Sequence, residues 1–228
     1  MPTPIILLMV AMMCFAGSHF ILSGPLRAPA VSILTRRGFL LTYSLVSVAC
    51  LVLGLIAFRY SPHGPVLWTH GRNVTQVAYD LLTYFSTTLF ISSLLGNPVT
   101  SPAKREFILE QMPRGVFVMT RHPMMFAIAL WSIAEILLTP APRQIILFGG
   151  LVIVAIVGSW LQDRKLENLI GADWRIWMER TPFWPDLRRI SAPGLSWLLA
   201  LIPWLLLTWV HSHLWQAPAG IWYLDTSL

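Results

Sequence analysis

Two histidines stand where apolar sequence ends or begins, and their chemistry is that of metal ligands. His19 falls near the end of one apolar run, and His122 opens another within Thr120-Arg121-His122-Pro123. Neutral imidazole binds transition metals, and two imidazoles facing each other across a gap can hold a haem by its iron. The same positions also suit histidines that reach a membrane interface or cap a carbonyl. Pro123 fits the first turn of a helix on backbone grounds alone. Arg121 could pair a haem propionate or another anion through two parallel N–H bonds, or serve as a basic anchor at a membrane surface. Arg27 and Arg36 are open to the same two readings.

Other polar groups inside apolar sequence are fewer. Asp80 and Glu135 lie within apolar runs, where a partnered carboxylate can bind a polar group or relay a proton. His63, His70, His211 and His213 gather on what the topology below makes the outer side, where interfacial solvation accounts for them. His211 and His213 are two apart and so do not share a helical face. Met12, Met13, Met124 and Met125 suit gap filling in apolar helices, although Met can also ligate haem iron. Cys14 and Cys50 both fall in apolar runs and indicate no disulfide framework.

These residues need elements to hold them, and composition decides the kind. The chain is 56% hydrophobic and 11% charged, with a mean hydropathy of +0.66. A soluble chain carries about 25% charged residues, so this one needs lipid as part of its solvent. Six apolar runs are long enough, or nearly so, to cross a bilayer: 5–22, 39–58, 76–95, 123–138, 145–162 and 195–210. The expected fold is an all-α, polytopic integral membrane helical bundle of about six transmembrane helices. The first run lacks a basic leader and ends in His19-Phe20-Ile21 rather than a small-residue cleavage site, so it is expected to be retained as a span. Gly149, Gly150 and Gly158 suit close helix packing.

Charge sets the expected orientation. With the N-terminus outside, thirteen of the sixteen Lys and Arg residues fall in inner loops, leaving Arg59, Arg72 and Arg143 outside. The positive-inside rule then puts both termini outside. The net charge of +6 is explained by these loops. No basic stretch carries an aromatic platform, so no nucleic acid is expected as a partner. The inner stretch 163–180 alternates apolar and charged residues at helical spacing, which predicts either a continuation of the fifth span or a helix on the inner surface. Thr181-Pro182-Phe183-Trp184-Pro185 must end it. In the tail, Trp215, Trp222 and Tyr223 suit an interfacial aromatic belt.

Several short pieces, taken in order, resemble the NnrU family of bacterial proteins. They are 18–27 (Ser-His-Phe-Ile-Leu-Ser-Gly-Pro-Leu-Arg), Arg37-Gly38-Phe39, Tyr43-Ser44, Thr120-Arg121-His122-Pro123, Gly149-Gly150, Gln162-Asp163-Arg164-Lys165, Gly171 and Trp174. That family is named for nitrite and nitric oxide reduction, and it resembles a plant 15-cis-ζ-carotene isomerase, a membrane enzyme with haem b. The resemblance implies an NnrU-like haem-binding membrane domain over 1–190, followed over 191–228 by a final transmembrane helix and outer aromatic tail. It implies His19 and His122 as the iron ligands and catalytic residues, with Arg121, Arg27 and Arg37 near the propionates. The implied partner is a hydrophobic polyene among membrane lipids, and the implied location the bacterial inner membrane.

A second resemblance, to membrane methyltransferases of the isoprenylcysteine and phospholipid type, rests on Arg121-His122-Pro123, Gly171, Trp174, Trp177 and Thr181-Pro182. It implies S-adenosylmethionine as cofactor. The chain departs from that pattern at Met125, Ala127 and 163–167, and His19 has no part in that chemistry. The sequence therefore leads to a haem b membrane protein, read as a redox-dependent cis–trans isomerase of a carotenoid-like polyene or a haem protein of nitrogen-oxide reduction. The alternatives are a lipid methyltransferase and a non-enzymatic haem sensor or electron carrier.

Overall fold

The computed structural model describes residues 3–68, 72–95, 112–214 and 219–222. Among these residues there are seven α-helices and no strand. They are α1 (Thr3–Ser23), α2 (Arg27–Tyr60), α3 (Arg72–Leu94), α4 (Pro123–Leu138), α5 (Pro142–Ile170), α6 (Ala172–Arg180) and α7 (Ser196–Leu214), with short 3-10 turns at Gly115–Val118 and Leu187–Arg189. Each of the six apolar runs lies in its own helix. By length and composition, α1, α2 and α5 can cross a membrane, and α4 is a shorter apolar helix. The chain is thus an all-α protein of the helical membrane class. His70, Lys104, Arg105, Trp215 and Tyr223 lie outside the described residues.

Two elements differ from their sequence outlines. The second helix begins at Arg27 rather than near Phe39, because its first turns continue past a kink at Thr35. There φ is 62° and ψ is 167°, a conformation that an L-residue with a branched side chain rarely adopts. The fifth span and the amphipathic stretch after it are continuous to Ile170. Gly171, with φ of 65°, then breaks the chain before α6. The reading of 163–180 as a continuation of the fifth span therefore holds as far as Ile170.

The chain packs as two compact units, residues 1–69 with 135–165 and residues 70–134 with 166–228. In the first unit, Leu8, Met12 and Phe15 of α1 pack with Ala57 of α2 and with Leu147 and Phe148 of α5. Met12 is seated by glycines. A Cβ on Gly54 would stand 3.3 Å from its sulfur, and one on Gly150 would stand 2.7 Å from its terminal methyl. Gly149 and Gly158 meet nothing within 4 Å, so of the three glycines in α5 it is Gly150 that serves close packing. Arg143, at the start of α5, ties the turn together. It donates to the Ser61 carbonyl at 3.0 Å and to His63 Nε2 at 2.8 Å, and its guanidinium lies over Phe58.

In the second unit, Leu89 of α3, Val116, Phe117 and Met119, Phe126 and Ala127 of α4, and Trp174 and Trp177 of α6 form the core. The tryptophans of the amphipathic stretch are thus buried inside protein. Irregular backbone is joined by hydrogen bonds between 118–121 and 182–189: Arg121 N to Pro182 O (3.0 Å) and Asp186 N to Met119 O (2.9 Å). Thr120 Oγ1 donates to Phe183 O at 2.7 Å. Such pairing is what allows non-helical backbone to be buried. α7 docks on α3 through Tyr84 Oη to Trp197 O (2.6 Å) and Trp204 Nε1 to Thr83 Oγ1 (3.0 Å).

Candidate functional sites

His19 belongs to the first unit. Its Nδ1 lies 3.0 Å from the Phe15 carbonyl, one turn back along α1. A carbonyl only accepts, so Nδ1 carries the proton and the lone pair is left on Nε2. The ring is held between Phe15, at 4.4 Å between centroids, and Tyr43 of α2, at 5.4 Å. Tyr43 in turn stacks on Phe39 at 6.0 Å, and the Arg27 guanidinium lies 5.5 Å from the Phe39 ring. Arg27 is half-buried and within electrostatic reach of both Tyr43 and Lys165. The first unit therefore groups His19, Tyr43 and Arg27, with Lys165 beside the last. Arg36 and Arg37 are exposed on α2 beyond the Thr35 kink.

His122 belongs to the second unit and is 5% exposed. Its ring meets Phe183 edge-on at 5.4 Å, and Phe126 closes against Phe183 and Trp184 at 5.8 and 5.5 Å. Arg121 lies over the same ring, with its guanidinium 5.2 Å from the Phe183 centroid, and donates to the Thr181 carbonyl at 2.8 Å. Arg121 therefore binds the 181–184 segment to the start of α4. The two histidines, each paired with one candidate arginine, fall in different compact units.

The aromatic cage at Phe183 and Trp184 was not singled out from the sequence, where Phe183 and Trp184 read only as part of a helix stop. Lys165 was visible only as part of a motif; its nearness to Arg27 depends on how α5 lies against the α1–α2 turn. The carboxylates also separate. Asp80 is held in the second unit, accepting from Gln76 Nε2 (3.2 Å) and from the Gly220 backbone N–H (2.8 Å), and Glu135 is buried in the first. Asp80 thus pins the segment 219–222 to α3. His211 faces Tyr79, and His213 stacks on Trp209. No group of three or more His, Cys, Asp and Glu that could hold a bare metal ion occurs among the described residues. A haem brings its iron already held by the macrocycle and needs only axial ligands from the protein.

The second unit also contains a cavity of about 410 Å³ among α3, α4 and α7, walled by Phe90, Ile91, Ile128, Trp131, Trp204 and Leu207 with a few hydroxyls between them.

A family model described as NnrU protein matches residues 7–219, which is most of the chain. Comparison with curated proteins and with solved structures gave no match.

Proposed function

We propose that this chain, which belongs to the NnrU protein family, is a haem b-binding membrane protein in which His19 and His122 would hold the iron. The observation that carries the reading is the His19 tautomer. Donation from Nδ1 to the Phe15 carbonyl orients the ring and leaves the Nε2 lone pair for a metal, as the outer hydrogen bond of a ligating histidine does. Phe15 and Tyr43 flank the ring and fix its position. His122 is buried beside Phe183. Arg27 supplies a half-buried positive charge for an anionic substituent, and Arg37 an exposed one. Arg121 positions the His122 segment against 181–184.

When bound, haem b supplies an iron that can exchange electrons and draw density from a conjugated double bond or bind a small gas. The finer reading is a redox-dependent cis–trans isomerase of a carotenoid-like polyene, or a haem protein working with nitrite or nitric oxide reduction in the bacterial inner membrane. The test is the absorption spectrum of detergent-purified protein, oxidised and reduced, with a pyridine haemochrome assay. A b-type spectrum near one haem per chain is expected, with at least tenfold loss of retained haem in His19→Ala and in His122→Ala. Retention unchanged in both variants would overturn the ligand assignment.

A second reading, a lipid methyltransferase, is favoured by the clamp between Arg121 and the Thr181–Pro182 backbone, because both segments take part in that resemblance. Saturable S-adenosylmethionine binding by a colourless protein would support it over the haem reading.

A further inference from the structure

We propose that the cavity among α3, α4 and α7 is a binding chamber for one extended hydrocarbon chain of roughly sixteen carbons. Its shape carries the first part of the case. The lining on α3 runs from Tyr79 to Ile91, roughly 18 Å of helix at 1.5 Å per residue. The volume of the cavity is about 410 Å³. Its length suits an extended chain. An extended chain advances about 1.2 Å per bond, so the length matches roughly fifteen carbon–carbon bonds.

The wall chemistry carries the second part. The chamber is lined by hydroxyls as well as by rings and aliphatic groups, yet each serine and threonine hydroxyl proton is used inside the protein. Thr83 donates to Tyr79 O (2.8 Å), Ser86 to Ala127 O (2.7 Å), Thr87 to Thr83 O (2.8 Å) and Thr208 to Trp204 O (2.8 Å). The Trp204 N–H is given to Thr83. A polar guest would find few donors there and would lose its own hydration. An apolar guest loses nothing and fills space that otherwise leaves the wall without contacts. Tyr79 and His211, 5.8 Å apart at the end of the lining nearest the start of α3, are where a polar head on the chain would sit. The chamber lies wholly in the second unit and does not depend on the haem reading.

An acyl chain and an isoprenoid chain share this chemistry, and the experiment separates them. The full chain in phosphatidylcholine vesicles is titrated with cis-parinaric acid, whose conjugated tail accepts energy from Trp131 and Trp204. The probe is then displaced with saturated fatty acids of twelve to twenty carbons and with farnesol and geranylgeraniol. Displacement is expected to strengthen to about sixteen carbons and then level off. Thr87→Phe and Ile128→Phe, which narrow the chamber from two different helices, are each expected to weaken probe binding at least tenfold with unchanged helical content. An isoprenoid preferred tenfold over a fatty acid of equal length assigns the chamber to that class, and the reverse preference assigns it to acyl chains. Displacement that keeps rising through twenty carbons, or binding unchanged in both variants, would show adsorption to the protein surface and overturn the proposal.

Discussion

At the residue scale, single hydrogen bonds decide what the ionisable groups can do. His19 shows this on α1 and His63 shows it at the surface. Partial burial, and then the adjacent Arg143 guanidinium, hold the His63 imidazole below its ordinary value. The unfolded chain therefore takes up a proton at higher pH than the folded one, and stability rises with pH across that interval. The contribution is full above about pH 6.5 and is lost as pH falls through the lowered folded value. Wild-type protein is thus expected to lose thermal stability between pH 7.5 and 5.5, and His63→Ala to lose less. Equal losses would sink this account, and the effect is small because His63 is exposed. Asp80 works by acceptance. Asp80→Ala leaves the Gly220 N–H without its partner, at a cost of about 1–3 kcal/mol, whereas Asp80→Asn keeps an acceptor and costs less. Thermal unfolding in detergent ranks the three proteins.

At the element scale, two places store constraint. Thr35 interrupts α2 with φ of 62°, a backbone that costs a branched residue on the order of 1–3 kcal/mol. Glycine adopts it without that cost and gives back roughly 0.4–1 kcal/mol in unfolded-state entropy. Thr35→Gly is therefore expected to raise thermal stability modestly, and a fall of several degrees would contradict the strained kink. The segment 219–222 is the converse. Gly220 has φ of 61° and an added Cβ would stand 2.6 Å from Thr208 Oγ1, so no side chain fits. Gly220→Ala is expected to cost about 2 kcal/mol or more and to detach the segment from α7, with loss of the Trp222 hydrogen bonds to Leu205 and Thr208. A change in the Trp222 emission reports the detachment.

At the scale of the whole molecule, packing interleaves the chain. Each compact unit draws on two separate stretches, so α4 and α5 pass from one unit into the other. Many large apolar side chains of α1 and α2 face outward, including Leu41, at 67% exposure, and Met13, at 62%, as lipid-facing helices require. The distribution of Lys and Arg gives a direct prediction. In a chain cleared of Cys14 and Cys50, a single cysteine at Gly64 is expected to react with an impermeant thiol reagent applied from outside, and one at Arg188 only after the inner face is opened. The opposite pattern would invert the orientation.

The helices themselves were legible in the sequence because hydropathy and length are local properties, and bilayer thickness sets both. Arg121, His122 and His19 stood out for the same reason, as polar groups at the ends of apolar runs. The sequence could not show that Arg121 is spent on the Thr181 carbonyl, that Phe183 packs against His122, or that Asp80 receives the Gly220 N–H across 140 residues. Nor could it show the chamber, whose walls come from three helices distant in the chain and whose hydroxyls look polar until their protons are traced. Those features depend on which helix faces meet and how they are rotated. Side-chain packing decides that through contacts between residues far apart, and no local pattern of residues encodes it.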